Sequence, residues 1–240
     1  MSVNLWSVNY LPTLIHLGYF EEMLISLSHE ILKPEKYVFY ISGKFCNDAE
    51  ILVKHILFKV NYLIILNKKK TAQYIGMKKI LLIEAKNNYP DYIIFMDGDD
   101  LVSHNRTKKM LKTIKKYKNK AIITVASKFQ NIDSSDYFET ISEIIPLAIE
   151  NNYIYNNDKM SYNINQIFVS GEDTPTMILP YNIISTYLLN SKNLNDNYAD
   201  VKFYEYLVEN KLILFVPFKK PVYFYRIWDR PLGNKVSLHH

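Results

Sequence analysis

Four short runs of β-branched and aromatic residues, at 7–13, 37–42, 60–66 and 92–96, are separated by three stretches whose apolar residues recur at helical spacing. The expected helices lie at 19–32, with Met23, Leu24 and Leu27 on one side, at 48–58 and at 72–86. Pro34 is expected to stop the first, Gly43 turns the chain into the second, and Asn87, Asn88 and Pro90 break the third. No other feature constrains the fold as much. A helix between successive strands calls for crossover connections, so the strands run parallel and helices cover the sheet, which makes the chain α/β with right-handed crossovers.

The fourth run, YIIFMDGDD, passes straight from buried-strand character into Asp97, Asp99 and Asp100 packed around Gly98. Three carboxylates this close repel one another unless a cation, a basic partner or shared protons relieve them, and hard divalent ions take oxygen ligands of this kind. In open α/β sheets, ligands sit beyond the carboxyl ends of the strands, where these acids fall. Gly98 leaves room for a ligand to approach the backbone. The competing reading is a solvated strand-to-helix turn in which Ser103 caps the next helix and no metal takes part.

Beyond Ser103, the segment HNRTKKMLKTIKKYKNK reads as a helix with Met110, Leu111 and Ile114 inward and seven lysines around them. Those lysines read first as a solvated face, with contact to an anionic membrane surface as the alternative. A strand at 121–126, a helix near 138–150 and an Asn- and Tyr-rich excursion over 151–165 follow. Short strands at 167–170 and 176–179 bracket Gly171 to Pro175, and Pro180 opens a helix to about 189. Residues 200–210 form an amphipathic helix with Val201, Tyr204 and Leu207 at helical spacing and Asp200 near its start. Strands at 212–218 and 222–225 lead into an irregular basic tail over 226–237.

Composition narrows the class. A chain of 240 residues, 48% apolar, buries a substantial core, and no linker divides it. A net charge of +5 suits anionic ligands such as nucleotide diphosphates, or loose attraction to anionic membrane, without calling for nucleic acid. Cys46 is the only cysteine, which rules out an intrachain disulfide and points to a reducing, cytoplasmic setting. No signal sequence is visible, and the most apolar stretch, 51–66, is broken by Lys54, His55, Lys59 and Asn61, so no bilayer span is expected.

With these pieces in order, the chain resembles the GT-A glycosyltransferases, in particular their family-two-like inverting group, over roughly residues 11–226. The likeness rests on Pro12 and Thr13 after the first strand, Gly43 after the second, KKTAQYIGMKKIL before the central strand, YIIFMDGDD as the D-x-D motif, and ADVKFYEYL as an acidic motif at a helix start. It implies one GT-A-like domain over 1–240, with a nucleotide-binding half at 1–103 and an acceptor-binding half with a C-terminal tail at 104–240. It further implies transfer of a sugar from a nucleoside-diphosphate sugar, a UDP-sugar by preference, to a glycan or glycoconjugate hydroxyl, aided by Mn²⁺ or Mg²⁺. Pro12, Thr13, Gln73, Asp97, Asp99 and Arg226 would contact the donor. Asp99, with Asp97, would hold the metal, and Asp200 would be the catalytic base. Tyr225 and Arg226 match a Tyr-Arg pair before a closing loop, and Arg230 and Lys235 stand where positive charge could reach the phosphates. Glu172, Asp173 and Trp228 fall where relatives meet the acceptor.

The sequence departs from that pattern in places. Ile41 and Ser42 stand where two acids normally hold the base, Gln73 and Tyr74 replace an Arg-Asn pair, and Ala199 replaces the first acid of the second motif. Asn47, Asp48 and Lys69 are the candidates to contact the base instead, and Asp229 or a water could complete the metal shell in place of a histidine. These departures motivate one alternative, a catalytically inactive GT-A-like nucleotide or sugar binding module; a nucleotidyltransferase on a similar sheet is another, disfavoured because no glycine-rich phosphate loop with Lys or Arg follows the first strand. A phosphatase of the haloacid-dehalogenase type is disfavoured by Leu101 and by the three strands that precede the motif.

Overall fold

The computed structural model describes residues 3–12, 17–83, 88–124, 126–130, 177–192, 194–195, 199–216, 218 and 222–227. The alternation expected of the first hundred residues is present as β1 (Leu5–Pro12), α1 (Leu17–Ser28), β2 (Lys36–Ser42), α2 (Cys46–Ile56), β3 (Tyr62–Asn67), α3 (Gln73–Ile83) and β4 (Tyr92–Asp97). It continues through β5 (Leu101–Val102), α4 (Arg106–Lys116), β6 (Ala121–Ile123), β7 (Ala126–Gln130), β8 (Met177–Pro180), α5 (Tyr181–Asn190), α6 (Ala199–Glu209), β9 (Ile213–Phe215) and β10 (Tyr223–Ile227). The helix expected at 138–150 and the strand at 167–170 lie outside the described residues.

Seven strands form one sheet in the order β3-β2-β1-β4-β8-β6-β9. The first four are mutually parallel, β8 runs antiparallel to both β4 and β6, and β9 is parallel to β6. The chain lays down β1, β2 and β3 in one direction and then returns to the other side of β1 with β4. The order therefore reverses between β1 and β4, and at such a switch point the crevice beyond the carboxyl ends opens. A second, three-stranded sheet has the order β5-β10-β7, with β10 antiparallel to β5 and parallel to β7.

Strict alternation distributes each inner strand between two cores. Trp6, Val8, Val38, Tyr40, Ile93 and Phe95 face α3, α5 and α6. On the opposite face, Leu11, Phe39, Ile41 and Met96 meet α1 and α2, while Leu5, Ile94 and Ile122 meet Met110 and Ile114 of α4. β4 is buried along both faces up to Met96, and only Asp97 at its end reaches partial exposure.

Several boundaries differ from the sequence expectation for tertiary reasons. α1 ends at Ser28, well before Pro34; Lys33 Nζ donates to the carbonyls of Leu27 (2.9 Å) and Ser28 (2.6 Å) at that end, and Glu30 just beyond it is buried. The single strand expected at 121–126 is two: β6 belongs to the large sheet and β7 to the small one. The strand expected at 212–218 is only Ile213–Phe215. The one expected at 222–225 runs to Ile227, so Arg226 lies in a strand and not in an irregular tail. Ser103, expected to cap the next helix, stands two residues before the N-cap Asn105, whose N–H its Oγ accepts at 3.2 Å. Among the described residues no helix is long and apolar enough to cross a membrane.

Candidate functional site

The acid turn sits at the carboxyl end of β4, beside β1, with Asp97 in register with Tyr10. Its backbone closes through the Asp100 N–H, which reaches the Asp97 carbonyl at 3.4 Å. Asp97 and Asp99 are partly exposed and Asp100 is buried, so the three acids divide into two that reach the surface and one that faces the protein.

Gly98 is at this turn because β1 comes so close. A Cβ there would lie 2.5 Å from Leu11 Cδ1 and 3.3 Å from the Tyr10 carbonyl oxygen. The sequence suggested room for a ligand at Gly98; the close neighbour in the structure is β1 itself.

Each acid has a distinct setting. Gln73, at the start of α3, donates its side-chain N–H to Asp97 Oδ1 at 3.0 Å, which places the carboxylate by the positive end of that helix. Gln73, expected among the donor contacts, is thus joined to the first acid of the motif. Asp100 accepts a hydrogen bond on Oδ2 from the buried phenol of Tyr223 in β10, linking the turn to the small sheet. Burial pushes the Tyr223 phenol well above its ordinary pKa, and the charges of Asp100, Asp97 and Asp99 push it further. Tyr223 is thus a neutral donor held among three carboxylates. No sequence signal pointed to it, since it lies 123 residues from Asp100.

Beside the acids, the carboxyl ends of β1, β2 and β3 carry neutral hydrogen-bonding groups. Tyr10 stacks on Tyr40 with centroids 6.3 Å apart and 14° between planes, and its hydroxyl donates to the Thr71 carbonyl. Burial, and the charge of Asp97, push the Tyr10 phenol up to about 12. Asn67 Nδ2 donates to the Tyr40 hydroxyl at 3.1 Å. The Ser42 hydroxyl is buried beside the Tyr10 phenol. Asn47, Asp48 and Lys69, the sequence candidates for base contact, are exposed.

The remaining expected residues fall into three groups. Asp200 is the second residue of α6, half-buried, with Oδ1 accepting the Val201 N–H at 2.9 Å. Its helix packs through Phe203 on Tyr74 (centroids 6.1 Å apart), the residue next to Gln73, on the sheet face toward which Asp97 points. Pro12 and Arg226 are placed by their backbone, at the end of β1 and in β10. Because β10 runs antiparallel to β5 with Phe224 opposite Leu101, the residues after Phe224 advance along the side of the acid turn. Thr13, Glu172, Asp173, Trp228, Asp229, Arg230 and Lys235 lie outside the described residues.

No protein-family model matches the chain, and no curated protein matches it. Among solved structures, S. aureus TarS (1–349) in complex with UDP-GlcNAc superposes with a TM-score of 0.62, at 12% identity, over 97% of this chain and 61% of that one. The same TarS piece in complex with UDP gives a TM-score of 0.59, also at 12% identity, over 93% of this chain and 60% of that one. TarS is a GT-A-like glycosyltransferase. The chain has the GT-A fold.

A slighter likeness, to the 4-diphosphocytidyl-2C-methyl-D-erythritol synthase of Anaerococcus prevotii, has a TM-score of 0.49 at 15% identity over 89% of this chain and 86% of that one. The chain spans about three fifths of the length of these two TarS structures. Within the GT-A fold seen here, the acid turn ends the strand beside the switch point, and Gln73 and Tyr223 fasten it from two sides.

Proposed function

We propose that the chain is a glycosyltransferase that takes a sugar from a nucleoside-diphosphate sugar, a UDP-sugar by preference, and delivers it to an acceptor hydroxyl on a glycan or glycoconjugate. The observation that carries this reading is the placement of Asp97 and Asp99, both partly exposed, at the carboxyl end of the strand beside the GT-A switch point. The likeness to TarS in complex with UDP-GlcNAc supports it.

A divalent ion, Mn²⁺ or Mg²⁺, belongs to the proposal. Among the described residues no three His, Cys, Asp or Glu side chains could hold a metal by themselves. Asp97 and Asp99 nonetheless suit a hard ion that takes one or two carboxylates and completes its shell with phosphate oxygens and water. When bound, such an ion would offset the negative charge that develops on the departing diphosphate.

The chain's own residues would do the rest. Gln73 orients the Asp97 carboxylate, and the Asp100–Tyr223 bond holds the turn so that Asp97 and Asp99 keep their spacing. Tyr10 and Tyr40, with the buried Ser42 hydroxyl beside Tyr10, would take the base where related enzymes place acids. Asp200, at the start of α6, would accept the proton of the attacking hydroxyl, and a single displacement would invert the anomeric centre. Arg226 advances toward the turn on β10 and would add positive charge near the phosphates.

Isothermal titration with UDP tests the reading. Binding should need Mn²⁺ or Mg²⁺, disappear with chelator and be lost in Asp99→Ala. Hydrolysis or transfer from a UDP-sugar should then vanish in Asp200→Asn while UDP affinity persists. An absence of nucleotide binding under any metal condition would sink the proposal; metal-dependent binding with no turnover of any donor would make the chain a binding module.

A further inference from the structure

At the other end of the strands from the acids, a cleft of about 260 Å³ opens between the 33–35 segment and α4, lined by Val3, Leu5, Lys33, Glu35, Leu111 and Lys115. Its position at the start of β1 separates it from the proposed donor site by the length of the sheet.

Three features converge there. First, the stretch from His104 to Lys120 holds seven lysines and Arg106 without a single acid. Arg106 is committed to Glu30 in the interior, so the lysines set the charge of the surface. Second, Lys108, Lys112 and Lys115 are all exposed and follow one another at i, i+4 and i+7, which aligns them in one stripe on α4. Third, Ile31 and Leu32 stand out beside this helix with 65% and 44% of their surface exposed. The Ile31 N–H donates to the His104 carbonyl at 2.9 Å, which fixes that loop against the start of α4.

We propose that this face docks on an anionic lipid bilayer. A lysine stripe alone would serve any polyanion. A neighbouring pair of exposed aliphatic side chains distinguishes a bilayer, because it offers phosphates and, a few ångströms deeper, acyl chains. Lys33 does not compete for this role, since its ammonium caps the carbonyls of Leu27 and Ser28. Glu35 is the only acid among the lining residues of the cleft, so the face stays positive. Docked this way, the protein would direct the carboxyl ends of its strands, and the acid turn, away from the lipid surface.

Co-sedimentation of the full chain with vesicles of phosphatidylcholine alone, or with added phosphatidylglycerol, tests the proposal independently of any nucleotide activity. Binding should require the anionic lipid and weaken with salt. Each exposed lysine near such a surface changes the partition coefficient about fivefold, so Lys108→Gln/Lys112→Gln/Lys115→Gln should lose roughly a hundredfold. Ile31→Ser/Leu32→Ser should lose about tenfold with the lysines intact. Both variants alter exposed side chains and should keep the wild-type melting temperature. Failure to bind, equal binding to neutral and anionic vesicles, or undiminished binding of the lysine variant would overturn the proposal. So would binding to a soluble polyanion such as heparin together with no effect of Ile31→Ser/Leu32→Ser on vesicles, which would assign the stripe to a different class of partner.

Discussion

Arg106 and Glu30 form an ion pair with almost no exposure, and removing one partner should cost more than any surface change in the molecule. The Glu30 carboxylate receives Arg106 Nε–H at 3.2 Å and Nη2–H at 3.0 Å, the Thr107 N–H at 3.1 Å and hydroxyl at 2.7 Å, and the Tyr37 hydroxyl at 2.8 Å. Arg106 also reaches Ser7 Oγ at 3.1 Å, so the pair binds the end of α1, the start of α4 and strand β1 to one another. Glu30→Ala removes the acceptor of five donors and leaves a guanidinium buried without its counter-charge. Breaking a buried pair in this way costs about 3–5 kcal/mol, a third or more of a typical domain stability of roughly 5–15 kcal/mol. At about 2–4 °C per kcal/mol for a chain of this size, the melting temperature should fall by about 6–20 °C. Arg106→Met should fall toward the lower end, because Thr107 and Tyr37 still donate to the carboxylate. The double variant Glu30→Leu/Arg106→Met should cost less than the sum of the two, since neither charge is left alone. Urea unfolding followed by far-UV circular dichroism at neutral pH measures all three. A loss below about 1 kcal/mol for Glu30→Ala, or strict additivity in the double variant, would refute this account of the pair.

Gly76→Ala should destabilise even though alanine gains about 1 kcal/mol of helix propensity, because a Cβ at Gly76 would meet the buried Tyr40 ring at 2.6 Å and overpacking costs about 1–3 kcal/mol; a urea midpoint above wild type would contradict this. Tyr223→Phe removes the donor to Asp100 and should cost about 1–3 kcal/mol of stability, and titration with UDP and Mn²⁺ should show weaker binding than wild type if the bond sets the turn. Folding stability should decline through the alkaline range. The phenol of Tyr10 is raised to about 12 and those of Tyr37 and Tyr223 are also raised, so above pH ~10 the unfolded chain loses protons that the folded chain keeps. Their contribution is intact below the unfolded value and disappears as pH climbs through the folded one, and urea midpoints that stay level across that window would contradict it.

The first hundred residues could be read closely because their information is local. Apolar period marks β1 to β4, and carboxylates next to a glycine mark the turn, whatever the tertiary surroundings. What escaped depends on distant partners. Arg106 stands in a run of lysines and looks like one more solvated cation; only Glu30, 76 positions away, makes it a core residue. Residues 121–126 keep strand character throughout, and their division between two sheets is decided by β8 and β9 on one side and β10 on the other. Pro34 predicts the end of α1, whereas the helix already ends at Ser28, where the Lys33 ammonium meets its last carbonyls. Gln73 carries no local sign of its partner, and only the approach of α3 to β4 shows its amide on Asp97.

The acid turn illustrates how such distant partners make a local motif usable. Carboxylates crowded at a strand end would separate if nothing restrained them, yet here each neighbouring element opposes a different displacement. Leu11 of β1 presses on Gly98 from the sheet side, Gln73 holds Asp97 from α3, and Tyr223 holds Asp100 from β10. Turning Asp100 inward toward a neutral phenol takes one carboxylate out of the cluster that faces the crevice, leaving Asp97 and Asp99 partly exposed on a backbone that cannot easily relax. Burial and the neighbouring carboxylates raise the phenol well above its ordinary pKa, so it remains a donor to Asp100 at neutral pH. The same β10 that supplies Tyr223 carries Arg226 three residues later in its backbone.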